Sequence, residues 1–155
     1  MVRMGLVMLS EPRNPICLLV CLALVAGCGG GEDGDAAERT AAPLPACAGA
    51  TKEIPRPALL PQDFPLPPGT KLTTSRTPFE GQGVIEGAVP GGLEDAAGFF
   101  GDELEDAGYA AGRRDSEPGE VESLFTGKSL RGGWRVNDIP NCDGASKLTI
   151  VLIRL

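Results

Sequence analysis

Apolar residues are arranged in two ways along the chain. Residues 16–26 form one unbroken apolar run, whereas from residue 59 onward apolar positions recur with the periods of regular secondary structure. Residues 71–79 and 83–89, joined by a short Gly-containing turn, read as the two strands of a hairpin. Pro90-Gly91-Gly92 then interrupts, and Leu93, Ala96, Ala97, Phe100, Leu104 and Ala107 recur at helical spacing until Gly108. This pattern predicts one amphipathic helix of about four turns. Residues 109–115, 121–126, 130–138 and 148–155 read as four further strands, separated by Glu117-Pro118-Gly119, Gly127-Lys128-Ser129 and Asn141-Cys142-Asp143-Gly144. The order is ββαββββ. It predicts an α+β fold in which one helix lies across an antiparallel sheet of about six strands, because the connections are too short for crossovers.

Parity assigns faces. In 130–138, Leu130, Trp134 and Val136 share one side and Arg131, Arg135 and Asn137 the other, which places Trp134 in the core. The last strand lacks that polarity: Leu148, Ile150 and Leu152 occupy one side, Val151, Ile153 and Leu155 the opposite one. A strand apolar on both sides belongs in the middle of a sheet. One helix covers only part of one face, so the side carrying Val151 and Ile153 needs another cover, and Val84, Ala88 and Leu124 can join the same surface. Either the Pro-rich segment 59–66 or the curled sheet edges shield it, or it is an exposed patch for a partner, a second copy or a lipid-like ligand.

The run 16–26 has a different purpose. Its eleven residues make a helix of about 16 Å, well short of the roughly 30 Å hydrocarbon core of a bilayer. Arg3 and Arg13 precede it and Val25-Ala26-Gly27-Cys28 closes it, the layout of a signal peptide with small residues before the cut. These four residues resemble the lipobox of bacterial lipoproteins. Cys17 and Cys21 follow the bulky Ile16 and Val20 and do not fit it. The resemblance implies that 1–27 is removed and that Cys28 becomes the lipidated first residue. Cleavage at another small residue, or an uncleaved anchor, are the alternatives. A diacylglyceryl group supplies the two acyl chains that stable anchoring requires. Gly29, rather than aspartate, follows the cysteine. For lipoproteins that implies the outer membrane in a Gram-negative cell, while a Gram-positive cell offers the plasma membrane.

Residues 28–57 read as a lipidated cysteine and a tether, acidic at Glu32, Asp33, Asp35 and Glu38 and then rich in Pro and Ala. With few large apolar side chains the stretch cannot offset its own ordering entropy. As a flexible chain it would span roughly 30 Å, and about 100 Å fully stretched. The spacing of its carboxylates does not match an EF-hand loop. The folded domain is expected over 58–155. The whole chain carries a net charge of −7, and removal of 1–27 takes away Arg3, Arg13 and Glu11, leaving the remainder one unit more negative. Such a chain suits neither nucleic acid nor anionic lipid surfaces, which both require clustered Lys and Arg. Besides Cys28, only Cys47 and Cys142 remain after the cut, and export to an oxidising compartment predicts that they form one disulfide.

Catalytic chemistry has little to stand on. The chain contains no histidine, which removes His-based triads, bases and metal ligands. It has no phosphate-binding glycine loop and no nucleophile elbow. A carboxylate-dependent hydrolase of envelope material is the alternative reading, for which Glu80 and Glu86 on the hairpin are as good a pair as any among the many acidic residues. No cofactor or metal is expected. Pro65-Leu66-Pro67-Pro68-Gly69, the hairpin, Val89-Pro90-Gly91-Gly92 and the helix resemble small uncharacterised domains of other bacterial lipoproteins, a resemblance that brings no activity or functional residues. The expectation is a non-enzymatic, membrane-anchored extracytoplasmic lipoprotein that binds or assembles in the cell envelope. Its partner would be an envelope protein or a second copy, met through a surface formed by Val151, Ile153, Leu124 and Val84.

Overall fold

The strand expected to be apolar on both sides lies at the centre of the sheet in the computed structural model, which describes residues 42–49 and 52–155. The strands are β1 (Lys71–Arg76), β2 (Gln82–Pro90), β3 (Ala110–Ala111), β4 (Asp115–Glu117), β5 (Glu120–Gly127), β6 (Leu130–Asp138) and β7 (Ala145–Arg154). The helix α1 spans Leu93–Asp106. All pairings are antiparallel, in the order β1-β2-β7-β6-β5-β3, and β4 also pairs with β5. β7 pairs with β2 from Gln82↔Ile153 to Pro90↔Ala145 and with β6 from Leu130↔Arg154 to Asp138↔Ser146. The fold is thus α+β, with one helix on one antiparallel sheet. The lipobox, Cys28 and the acidic stretch lie outside the described residues.

Two strands differ from the sequence expectation. β1 stops at Arg76 rather than continuing to Phe79, because Pro78 has no N–H to give a ladder and Phe79 already closes the turn by accepting the Gln82 N–H at 3.1 Å. The stretch 109–115 is not one strand but two short pieces. Tyr109 belongs to the end of α1, its N–H reaching the Leu104 carbonyl at 2.8 Å across Gly108, whose φ of +80° makes the left-handed cap. Gly112, Arg113 and Arg114 then separate β3 from β4; they offer no apolar alternation to hold a continuous ladder.

The helix begins where Gly91 and Gly92 release β2. The Asp95 carboxylate accepts the Gly92 N–H at 3.1 Å, so one of the unpaired donors of the first turn is satisfied. Ala96, Ala97, Phe100 and Leu104 are buried against the sheet, and Phe100 stacks on Trp134 with ring centroids 5.0 Å apart. Trp134 is a core residue, 2% exposed. The Pro-rich segment lies on this same side. Phe64 packs 5.1 Å from Phe125 and 5.4 Å from Tyr109, and Leu60 is equally buried. Arg56 donates to the carbonyls of Pro61 and Phe64, which fixes the loop without a ladder.

The packed chain starts earlier than residue 58. Ile54 rests against the core and donates its N–H to the Leu72 carbonyl at 2.8 Å, covering part of the free edge of β1. Upstream, Cys47 is disulfide-bonded to Cys142, with 5.6 Å between Cα atoms. Part of the stretch expected to be tether therefore lies on the domain. Among the described residues no helix is long and apolar enough to cross a membrane.

Candidate binding face

Strand register decides what faces the side opposite α1. Val84 is paired with Val151, Val151 with Gly133 and Gly133 with Leu124, so these four residues form one row across β2, β7, β6 and β5. A second row runs from Gln82 through Ile153 and Arg131 to Thr126, and a third from Glu86 through Thr149 and Arg135 to Glu122. Both covering layers, α1 and the segment containing Leu60 and Phe64, occupy the other side. The expected shield of the Val151 surface by segment 59–66 is therefore absent. The physical reason is the aromatic cluster: Phe64 buries its ring against Tyr109 and Phe125, which only the helix side presents.

The apolar row is open to water in graded fashion. Leu124 is 72% exposed and Val151 41%, whereas Val84 and Ile153 are half-buried and Ala88 is buried. Gly133 contributes no side chain, and a Cβ there would lie 3.2 Å from Leu124 Cδ2. Leu124 thus leans over the glycine. The result is a broad hollow of about 1090 Å³, floored by Leu124, Val151, Ile153 and Gly133.

Charged side chains edge the hollow unevenly. Toward the end of the sheet where β7 begins, carboxylates and cations neutralise one another. Glu86 meets Lys147 at 3.1 Å and Arg76 at 3.7 Å. Arg135 bridges Glu122 and Glu120, the latter at 3.3 Å, and Asn137 donates to Glu120 at 2.6 Å. The hydrogen bond from Arg135 to Glu122 holds its guanidinium charged, raising its pKa further. Toward the other end, Arg131 and Arg113 line the hollow and take part in none of the ion pairs among the described residues.

The residues proposed from sequence thus fall on one surface, although Ile153 belongs to the neighbouring row rather than to that of Val84, Val151 and Leu124. Sequence reasoning missed Arg113 as a neighbour of this surface, because only the β3–β5 and β4–β5 pairings bring the link between β3 and β4 beside Leu124, where the Gly112 N–H donates to the Leu124 carbonyl at 2.8 Å. The two carboxylates considered for hydrolysis are differently placed: Glu86 is engaged by Lys147 and Arg76, and Glu80 is exposed in the β1–β2 turn. Asp115, Glu117, Glu120 and Glu122 edge a small recess of about 30 Å³. Among the described residues no group of three or more Cys, Asp or Glu side chains is arranged to hold a metal ion.

Neither protein-family models, nor curated proteins, nor solved structures match this chain. Function therefore rests on the geometry above and on the sequence. Exposure makes one consequence measurable. Val151→Asp should leave a cooperatively folding protein, destabilised by about 1–2 kcal/mol, since the side chain is only partly buried but sits in a central strand. Thermal unfolding followed by circular dichroism tests this; loss of the folded state would mean that Val151 is covered.

Proposed function

We propose that this protein is a lipid-anchored, extracytoplasmic bacterial lipoprotein with a non-enzymatic binding role, exercised through the open face of its sheet. The observation that carries the binding half is the exposed row of Leu124 and Val151 on a face that neither α1 nor the Pro-rich segment covers. A soluble monomer gains nothing from leaving such side chains in water at the centre of a sheet, and contiguous exposed apolar surface marks interaction sites. The anchoring half is supported by Val25-Ala26-Gly27-Cys28 at the end of the apolar run. It also agrees with the disulfide between Cys47 and Cys142, a bond that persists outside the reducing cytosol.

Cys28→Ala separates the two halves. In a bacterial host fed a labelled fatty acid, the native chain should incorporate the label and the variant should not, accumulating instead as a precursor that retains residues 1–27. Label retained by the variant would refute the lipobox. The binding half is tested by photocrosslinkers at positions 124 and 151 in intact membranes. Specific adducts at both, absent when the crosslinker sits on the exposed helix residue Asp102, are the expected outcome. Equal patterns at all three positions would refute a role for the open face.

A further inference from the structure

We infer that the occupant of the hollow is a single-chain anionic lipid, its alkyl tail lying across Leu124, Val151 and Ile153 and its carboxylate held by Arg131 and Arg113. This inference rests on the open face being a binding surface and adds the chemical class of what it binds.

Size is the first argument. The hollow extends over β7, β6, β5 and β3, three interstrand spacings or about 14 Å. Along β7 it reaches from Lys147 to Ile153, six residue steps or about 20 Å. That footprint, on the order of 300 Å², is well below the roughly 800 Å² per partner of a stable protein interface. The volume of this open hollow, about 1090 Å³, is instead close to the upper range of small-molecule sites, about 300–1,000 Å³.

Charge is the second. The chain is acidic, at −7, yet the hollow is bordered by four cations, Arg113, Arg131, Arg135 and Lys147, against two carboxylates, Asp115 and Glu122. Arg135 and Lys147 are already ion-paired, so the two arginines left over, Arg131 and Arg113, are where an anion gains most. A planar guanidinium suits a carboxylate or phosphate oxygen pair. The third argument is the lack of an aromatic platform. Phe125 and Trp134 turn their rings to the opposite side, where Phe64 and Phe100 pack on them. Sugars and bases, which are held by stacking on exposed rings, find no such surface here, whereas an alkyl chain needs only the aliphatic floor.

The test uses the full-length chain in isolated membranes and a photoactivatable palmitate, with the adducts mapped by peptide mass. Adducts are expected in 120–135 and 145–154, competed by palmitate and, about fivefold less effectively, by palmityl alcohol, the difference that one exposed ion pair of about 1 kcal/mol makes. Arg131→Glu and Leu124→Glu, both at exposed positions and checked for native melting curves, should each lower labelling by about fivefold or more. Phe79→Glu, an exposed apolar site outside the hollow, should not change it. Equal competition by the alcohol, or full labelling of Arg131→Glu, would overturn the inference. If the crosslinkers at 124 and 151 capture a protein while palmitate does not label the hollow, the lipid assignment fails and the binding face stands. If neither ligand nor protein is captured there, both fail.

Discussion

Gly132→Ala is expected to destabilise the domain by about 3 kcal/mol, the upper range for a small-to-large change in a packed core. A Cβ built on Gly132 would lie 2.1 Å from the Val151 carbonyl oxygen and 2.8 Å from Phe125 Cζ. The ring could shift, but the carbonyl belongs to β7, which is paired along both of its edges. Relief therefore requires opening the ladder around Gly132↔Leu152, the central pairing of the sheet. For a domain of this size the loss corresponds to about 12–24 °C in melting temperature. Gly98→Ala is the control: nothing lies within 4 Å of its added Cβ in the middle of α1, and the helix should gain about 0.5–1 kcal/mol. Parallel melting curves of the two variants check the argument. Equal stability of Gly132→Ala and the native chain would mean that β6 and β7 separate at little cost.

Breaking the disulfide should have an effect of similar or larger size. The Cys47–Cys142 bond closes a loop with a sequence separation of 95, worth about 4.5 kcal/mol in the chain-entropy account. Cys142 is buried at the foot of β7, whereas Cys47 is exposed, so the bond attaches an outlying segment to the core. Reduction should lower the melting temperature by about 15 °C or more. The Cys47→Ser, Cys142→Ser double variant should melt at the reduced temperature whether or not reductant is present. A native chain indifferent to reductant would show that the crosslink does not limit the unfolded ensemble.

The sheet's centre and its helix were legible because their signals are local. The two-sided apolar pattern of β7 leaves only a central position open to it, and Pro90-Gly91-Gly92 and Gly108 punctuate α1 at both ends. The link 109–115 was not legible as two pieces, since Tyr109 looks like the start of a strand until its N–H is seen to close the helix. Ile54 gave no signal either: a single apolar residue among Lys52, Glu53 and Pro55 has no periodicity, and its place depends on the free edge of β1. For the candidate site, parity sorted Val84, Leu124, Val151 and Ile153 correctly. What parity cannot supply is register, which puts three of them in one row with Gly133 and brings Arg113 alongside from a different hairpin. Nor does local sequence say which face a Pro-rich segment chooses; Phe64 is drawn by two rings that are adjacent only after the chain folds.

The position of the Cys47–Cys142 bond has a consequence for mobility at a surface. With the bond closed, Cys47 is tied to the domain nineteen residues after Cys28, and covalent geometry limits the distance between the two to about 65 Å. With the bond open, the nearest core contact among the described residues is that of Ile54, and the corresponding limit from Cys28 rises to about 90 Å. For a chain held at Cys28, oxidation therefore shortens the leash by about a quarter and moors the domain by the end at which β7 begins. For such a chain the thiol state of Cys47 and Cys142 would set how far the hollow can roam from the point of attachment.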